Sequence, residues 1–277
     1  MKHFAKLNSN ASTRKATRTC VVSGSSIVNE LLKHRECTVN TVIASRDNLP
    51  LDLLDQLQDI AAAYGAESCS YFDVEGAALA RAADLESAGN GTAVVAIEAY
   101  LPQTAVYLEG SSNNSHILSG LGGGAAKVIV LDGVSDPGNV GAILRSGLAF
   151  GFDHALFLPG CCDPFNPKAI RAARATQWGY KSLTMNANWS DVSSVAATLN
   201  APIIAADSNA DGGSADTCDS ESVIVAVGNE SHGLSLNNDN ILKQCQMVRI
   251  PMQNHVESLN AAVAGALLMQ RYSNVDE

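Results

Sequence analysis

The chain is expected to be an α/β protein in two parts, a small mixed unit followed by a larger domain built on a parallel sheet. Three observations lead there. From residue 126 onward, short apolar runs alternate with helical stretches, the order that covers both faces of a parallel sheet. Residues 19–109 carry shorter β-rich runs and helices of their own. Between them lies a stretch that is almost all Gly, Ser and Asn. A length of 277 residues suits two domains at about 100–200 residues each.

In the first part, Thr19-Cys20-Val21-Val22 reads as a strand, and Ser26 to Leu32 begins a helix behind a cap-like Ser. Val39–Ala44 is a second strand, and Leu51–Tyr64 repeats apolar residues at helical spacing. Ala93–Ile97 reads as a buried strand after the turn Gly89-Asn90-Gly91. Residues 110–125 offer too little burial to offset ordering and are expected to be a linker. Gly120-x-Gly122-x-x-Ala125 loosely fits a dinucleotide fingerprint, but it precedes a strand instead of following one, so that reading fails. In the second part the expected strands are 128–131, 155–158, 203–206, 223–227 and 247–250, with helices over 139–150, 168–176 and 258–272. The expected domains are therefore 1–109, a linker 110–125, and 126–277.

Composition removes several function classes. The apolar runs are far shorter than the ~20 residues of a membrane span, so no membrane association is expected. Seven Cys, an odd number without a Cys-x-x-Cys pair, argue against a disulfide framework or a zinc site; no metal is expected, and reduced thiols inside a cell fit. A net charge of −10 excludes indiscriminate coating of nucleic acid. Residues 207–221 hold five acids and no base, reading as a solvated surface loop. Positive charge gathers instead at the N-terminus, with Lys2, Lys6, Arg14, Lys15 and Arg18 before the first acid at Glu30. It gathers again at Lys168, Arg171, Arg174 and Lys181. The spacing of 168, 171 and 174 predicts one helical face, a candidate phosphate track.

In parallel sheets, ligands bind beyond the carboxyl ends of the strands, which makes three loops informative. The first reads Asp136-Pro137-Gly138-Asn139-Val140-Gly141 and leads into a helix bearing Arg145. The second, Gly228-Asn229-Glu230-Ser231-His232-Gly233-Leu234, follows a buried strand, and its leading Gly permits close backbone approach. Ser231 and His232 are adjacent and point apart, so they make no nucleophilic pair; His232 reads as lining. The third runs from Ile250-Pro251-Met252 to Ser258-Leu259-Asn260, with Ser258 expected to cap a small-residue helix.

Taken in series, Asn139-x-Gly141 with Arg145, Gly228-Asn229-Glu230 with Gly233-Leu234, and Ile250-Pro251-Met252 with Ser258-Leu259-Asn260 resemble the three motifs of the SpoU (TrmH-type) RNA 2′-O-ribose methyltransferases. The first part resembles the small RNA-binding domain, similar to a ribosomal protein, found in the ribosomal-RNA branch: Val22-x-Gly24 with Ile27-Val28, and Gly91 to Ala96. Lys2-His3 with Leu7 and Arg14 is similar to the family's start, which makes the basic N-terminus an arm of that domain. It also leaves room for residues, or a transit peptide, upstream of Met1.

The resemblance implies a SPOUT domain with a C-terminal deep trefoil knot, although chains generally avoid knots. It implies S-adenosylmethionine as cofactor, held at Gly228, Ile250, Met252 and Leu259, and catalysis by Asn139, Arg145, Glu230, Ser258 and Asn260. Lys168, Arg171, Arg174, Lys2 and Arg14 would bind RNA. The implied activity is 2′-O-ribose methylation of structured RNA, large-subunit ribosomal RNA above all, by a homodimer. The alternatives are a tRNA 2′-O-methyltransferase or a non-catalytic RNA-binding member. The compartment would be the cytoplasm, or a plastid or mitochondrion if a transit peptide precedes Met1. Residues 171–175 depart from the family, reading Arg-Ala-Ala-Arg-Ala where Arg-Ala-Ser and then Gly are usual.

Overall fold

The computed structural model describes residues 2–34, 37–44, 52–53, 55–57, 59, 70–74, 79, 95–109, 114–122, 124–206, 220–229, 231–235, 243–253, 256 and 258–273. In chain order the first elements are α1 (Lys2–Ser9), α2 (Ala11–Thr17), β1 (Thr19–Ser23), α3 (Ser25–Leu32), β2 (Val39–Ala44), β3 (Ser70–Asp73), β4 (Val95–Tyr100) and β5 (Ala105–Tyr107). There follow α4 (Asn114–Gly120), β6 (Lys127–Asp132), α5 (Pro137–Ala149), β7 (His154–Phe157), α6 (Pro167–Ala173) and a 3-10 turn at Thr176–Gly179. The chain continues through β8 (Ser182–Met185), α7 (Trp189–Leu199), β9 (Ile203–Ala206), β10 (Val223–Gly228), β11 (Cys245–Val248) and α8 (Ala261–Arg271).

These elements form two compact units. One is Met1–Pro102 with Asp163–Trp178; the other is Gln103–Cys162 with Gly179–Glu277. The chain thus divides at Pro102, ahead of the expected boundary at 109, because β5 pairs with β8 in the second sheet. It also returns to the first unit for one segment, which the alternation of strands and helices gave no means of reading.

The first unit holds a four-stranded sheet in the order β1-β4-β2-β3. Strand β4 runs antiparallel to both neighbours, and β2 pairs parallel with β3. Phe4 and Leu7 of α1 cover one face against Val21, Ile43 and Ala96. Arg14 is 2% exposed and donates to the carbonyls of Leu7 and Asn8, the last turn of α1. The basic N-terminus is therefore a folded helix pair packed on the sheet. The expected turn at 89–91, and most of the expected helix at 51–64, lie outside the described residues.

The second unit holds a seven-stranded sheet, β11-β9-β10-β6-β7-β8-β5, in which every pairing is parallel. Strand β10 is buried along five successive residues, as a strand covered on both faces must be. On one side, α8 packs against α5 and β10. The approach depends on Gly265, where a Cβ would stand 2.9 Å from Val227 Cγ2. On α5, a Cβ at Gly147 would meet Ile129 Cδ1 at 2.1 Å. The expected linker is partly structured. Ile117 of α4 and the following Leu121 are buried with Val128, Val130 and Val192 in the core, so these apolar residues outweigh the Gly and Ser around them. Strands β3, β5 and β8 and helix α7 were not anticipated. Helix α7 is started by a capping box, Asn188 and Asp191 each accepting a backbone N–H of the other.

Among the described residues no helix is long and apolar enough to cross a membrane. His154, buried at the start of β7, has its Nε2 3.3 Å from Asp153 Oδ1. Burial holds its pKa below the ordinary value, opposed by the Asp153 carboxylate and assisted by Lys181. A His favoured neutral in the folded state leaves the unfolded chain to take the proton first. Stability should therefore be full above about pH 6.5, fall as the pH drops below it, and level off beneath the folded-state value. Urea unfolding from pH 8 to 5 should show this decline, and His154→Phe should flatten it.

Candidate active site at the carboxyl edge of the sheet

Strands β6 and β10 are neighbours in the middle of the second sheet, and their carboxyl ends carry two of the three informative loops. The organising side chain is Asp132, the last residue of β6. Its buried carboxylate accepts from Trp189 Nε1 at 3.1 Å, from Ser235 Oγ at 2.8 and 2.9 Å, and from the Ser235 backbone N–H. One acid at the end of β6 thus fixes the far end of the loop leaving β10. Its sequence signal was available, since it is an acid directly after the apolar run Val128–Leu131.

That loop is tightly closed. Asn229 and Gly233 exchange backbone hydrogen bonds of 3.0 and 2.9 Å. The Asn229 side chain accepts from the Ser231 and His232 N–H groups and donates to the Gly133 carbonyl at 2.9 Å. Gly228 begins the turn, and a Cβ there would lie 2.5 Å from Gly233 C and 2.8 Å from Leu234 N. Only glycine fits. The loop after β7 joins this edge: Cys161 Sγ donates to the Leu131 carbonyl at 3.1 Å, and Cys162 N donates to Val134 O at 2.9 Å. Burial pushes the Cys161 thiol up to about 11, which keeps it a donor. Glu230 lies outside the described residues.

Helix α5 starts where Asp136 caps it, accepting from Asn139 N at 2.8 Å, with Pro137 in its first turn. Asn260 caps α8, accepting from Ala262 N at 3.0 Å and Val263 N at 3.3 Å. Its amide nitrogen is then left to donate to Asn139 Oδ1 at 2.9 Å. The capping bonds decide which amide atom is oxygen, so this direction follows from the network. Two expected site residues, far apart in sequence, meet at two helix starts. The cap expected at Ser258 is corrected to Asn260; Ser258 is exposed, upstream of the helix. Arg145 is exposed on α5. Gly228, Ile250, Met252 and Leu259 are half-buried, the first ending β10 and the others flanking the passage from β11 to α8.

The five expected RNA-binding residues all fall in the first unit. Lys2 and Lys168 are exposed. Arg171 is half-buried, and its Nη1 has no hydrogen-bond partner. Arg14 does not face solvent: its Nε donates to Asp163 Oδ2 at 2.7 Å. Arg174 leaves the expected helical face because α6 ends at Ala173, and Arg174 takes a left-handed conformation with φ of 54°. It donates to Ser26 Oγ at 2.6 Å and to Glu30 Oε1 at 3.4 Å. In the second unit, Lys181 pairs with Asp153 Oδ2 at 2.6 Å.

The order of these motifs along the sheet has a counterpart in known proteins. Residues 126–270 match the model of the SpoU rRNA Methylase family. This chain belongs to the SpoU rRNA methylase family. The chain is 31% identical over 149 residues to the 23S rRNA (guanosine(2553)-2′-O)-methyltransferase RlmP of Bacillus subtilis, covering 52% of this chain and 57% of that protein. It is 32% identical over 157 residues to an uncharacterized tRNA/rRNA methyltransferase of Mycobacterium avium, covering 53% of this chain and 47% of that one. The chain therefore spans about half the length of these relatives.

Over the whole chain, its fold resembles the crystal structure of an RNA 2′-O ribose methyltransferase. The TM-score is 0.71 at 25% identity, covering 98% of this chain and 93% of that one. It also resembles the SpoU methyltransferase AviRb from Streptomyces viridochromogenes, solved with AdoMet. There the TM-score is 0.76 at 17% identity, covering 98% and 95% of the two chains. The second likeness is one of fold.

Every group bonded to Asp132 in the SpoU edge is a donor. Asp132→Leu would leave the Trp189 indole and the Ser235 N–H without an acceptor, and should lower stability by about 2–3 kcal/mol. Trp189 fluorescence should shift to the red as its indole loses its partner. Asn260 separates two roles. Asn260→Ala should cost about 1 kcal/mol in urea unfolding, whereas Asn260→Asp retains the cap and should stay near wild type. Both variants lose the donor to Asn139.

Proposed function

We propose that this chain transfers a methyl group from S-adenosylmethionine to a ribose 2′-hydroxyl of structured RNA, large-subunit ribosomal RNA in preference to tRNA. The observation that carries this reading is the Asn260–Asn139 hydrogen bond. It joins the starts of the two helices that bear the first and third motifs, with Arg145 exposed on one of them. The identity to a 23S rRNA methyltransferase supports ribosomal RNA, and the likeness over 98% of the chain to an RNA 2′-O ribose methyltransferase structure, first unit included, supports RNA as the substrate.

The residues present suit the cofactor. Gly228 keeps the strand end free of side chain, and half-buried Ile250, Met252 and Leu259 offer apolar surface beside backbone groups, the lining an adenosine takes. S-adenosylmethionine supplies a methyl group on a sulfonium, an electrophile that needs no metal. The chain's own contribution is positioning, together with help in withdrawing the 2′-OH proton. A guanidinium is a poor base but a strong forked donor. Arg145 grips the phosphate beside the reacting ribose and polarises the hydroxyl. Asn139 steers Arg145, and Asn260 orients the ribose edge.

Two features complete the reading. The carboxyl-terminal part of the second unit forms a trefoil knot, a reading supported by the return of α8 onto α5 and β10 after the chain has visited the sheet edge at β11. The chain pairs as a homodimer through α8, where Val263 and Leu267 are nearly half exposed.

Arg145→Ala should lower transfer at least about 100-fold, while calorimetry shows S-adenosylmethionine binding unchanged; loss of both would make Arg145 structural. Mapping 2′-O-methylation in ribosomal RNA with and without the gene should reveal one lost site. A site lost from tRNA instead would reverse the choice of substrate.

A further inference from the structure

The second unit's chain departs after β7 and comes back before β8, and the segment between, Asp163–Trp178, belongs to the first unit. Three side-chain links hold it there. At its start the Arg14 guanidinium meets Asp163 through Nε and Nη2, both 2.7 Å from Oδ2. Past its middle, Arg174 bonds Ser26 and Glu30 of α3. At its end Trp178 Nε1 donates to the Tyr100 carbonyl of β4 at 3.1 Å. Between the links lies α6, with Lys168 exposed and Arg171 half-buried, its Nη1 buried and without a hydrogen-bond partner. Arg14 and Arg174 are thus taken up by the protein, while Lys168 faces solvent and the rest of the half-buried Arg171 guanidinium lies beside it on the same helix.

We propose that the buried Arg14–Asp163 pair is a positioning device for RNA. It fixes the entry of this segment in the first unit so that Lys168 and Arg171 meet the phosphates as one preset pair. Arg14 and Asp163 themselves touch no substrate. The geometry that supports this is the division of labour inside one segment. The same Arg14 that anchors Asp163 also donates to the last carbonyls of α1, so the segment is tied to the N-terminal helix pair through a single guanidinium. Asp163 in turn accepts from Phe165 N at 2.9 Å, which sets the backbone two residues before α6 is capped by Asn166. A fork-shaped cation held by four acceptor contacts has one orientation, and lysine could not replace it.

The inference rests on the proposed reading that the substrate is RNA. The test uses the full chain with an unmethylated large-subunit ribosomal RNA transcript, measuring KM, kcat, S-adenosylmethionine affinity and the thermal midpoint. Arg14→Met and Asp163→Asn should each raise the RNA KM about five- to tenfold, with kcat and cofactor affinity unchanged. Val21→Ala, which loosens the core of the same unit without touching the links, should leave KM unchanged. In a background carrying both Lys168→Ala and Arg171→Ala, neither Arg14→Met nor Asp163→Asn should raise KM further. Full additivity with that double variant, or an equal rise in Val21→Ala, overturns the proposal. Should Arg14→Met fail to fold, Asp163→Asn carries the comparison, because a side-chain oxygen remains for the Phe165 N–H. A wild-type chain that neither binds nor methylates the transcript overturns the RNA reading as well; an active wild type with uncoupled variants overturns this inference alone.

Discussion

Asp132 sits at the end of the sheet's middle strand, out of water, and every group hydrogen-bonded to it is a donor. A carboxylate in that setting is costly unless each lone pair is used. Here the donors come from places the chain must bring together: an indole at the start of α7 and a serine at the close of the loop after β10. Satisfying the acid therefore fixes the loop. The Asn229 side chain repeats the logic from the other direction, reaching across from β10 to the Gly133 carbonyl. The carboxyl edges of β6 and β10 are thus cross-linked by polar contacts in both senses, and this makes the candidate site a rigid element.

The second constraint is proximity of backbone. Gly228 is enclosed by the turn that follows it, Gly265 by Val227, and Gly147 by Ile129 and Tyr180. At Gly228 a single methyl group would have to displace the backbone of the turn, and at Gly147 and Gly265 a buried side chain; overpacking of the latter kind costs about 1–3 kcal/mol. The glycines serve one purpose at different scales. Gly228 lets a turn fold back on its own strand, while Gly147 and Gly265 let helices come close to the sheet. The close seating of α5 and α8 is what allows Asn139 and Asn260 to meet.

Periodicity carried the parallel sheet because its strands are apolar on both faces, leaving continuous runs such as Val223–Val227. The three loops were legible for a related reason, since each follows such a run. What escaped was whatever depends on partners distant in sequence. Strand β8, Ser182–Met185, is buried with two hydroxyl residues in four, so no run marks it. The cap of α8 was placed at Ser258, because Ser and Asn cap equally well and only the bond from Ala262 N to Asn260 decides between them. Helical spacing put Arg174 beside Lys168 and Arg171, but spacing does not show that the helix ends at Ala173.

Charge gives the last step. Read along the chain, the basic residues formed two clusters, each without an acid among its neighbours. In space three of them face acids: Arg14 meets Asp163, Arg174 meets Glu30, and Lys181 meets Asp153. Each such pairing withdraws a cation from phosphate binding. Under the proposed reading, fewer cations are then left to release counterions, each worth about 0.7–0.9 in the salt slope of RNA binding. Affinity must come instead from the shape of a folded RNA held against fixed groups. The ion pairs do not work against RNA binding in this account. They convert positive charge into geometry, which would suit a chain of net charge −10 that selects one ribose in a large RNA, as proposed, better than a broad basic face would.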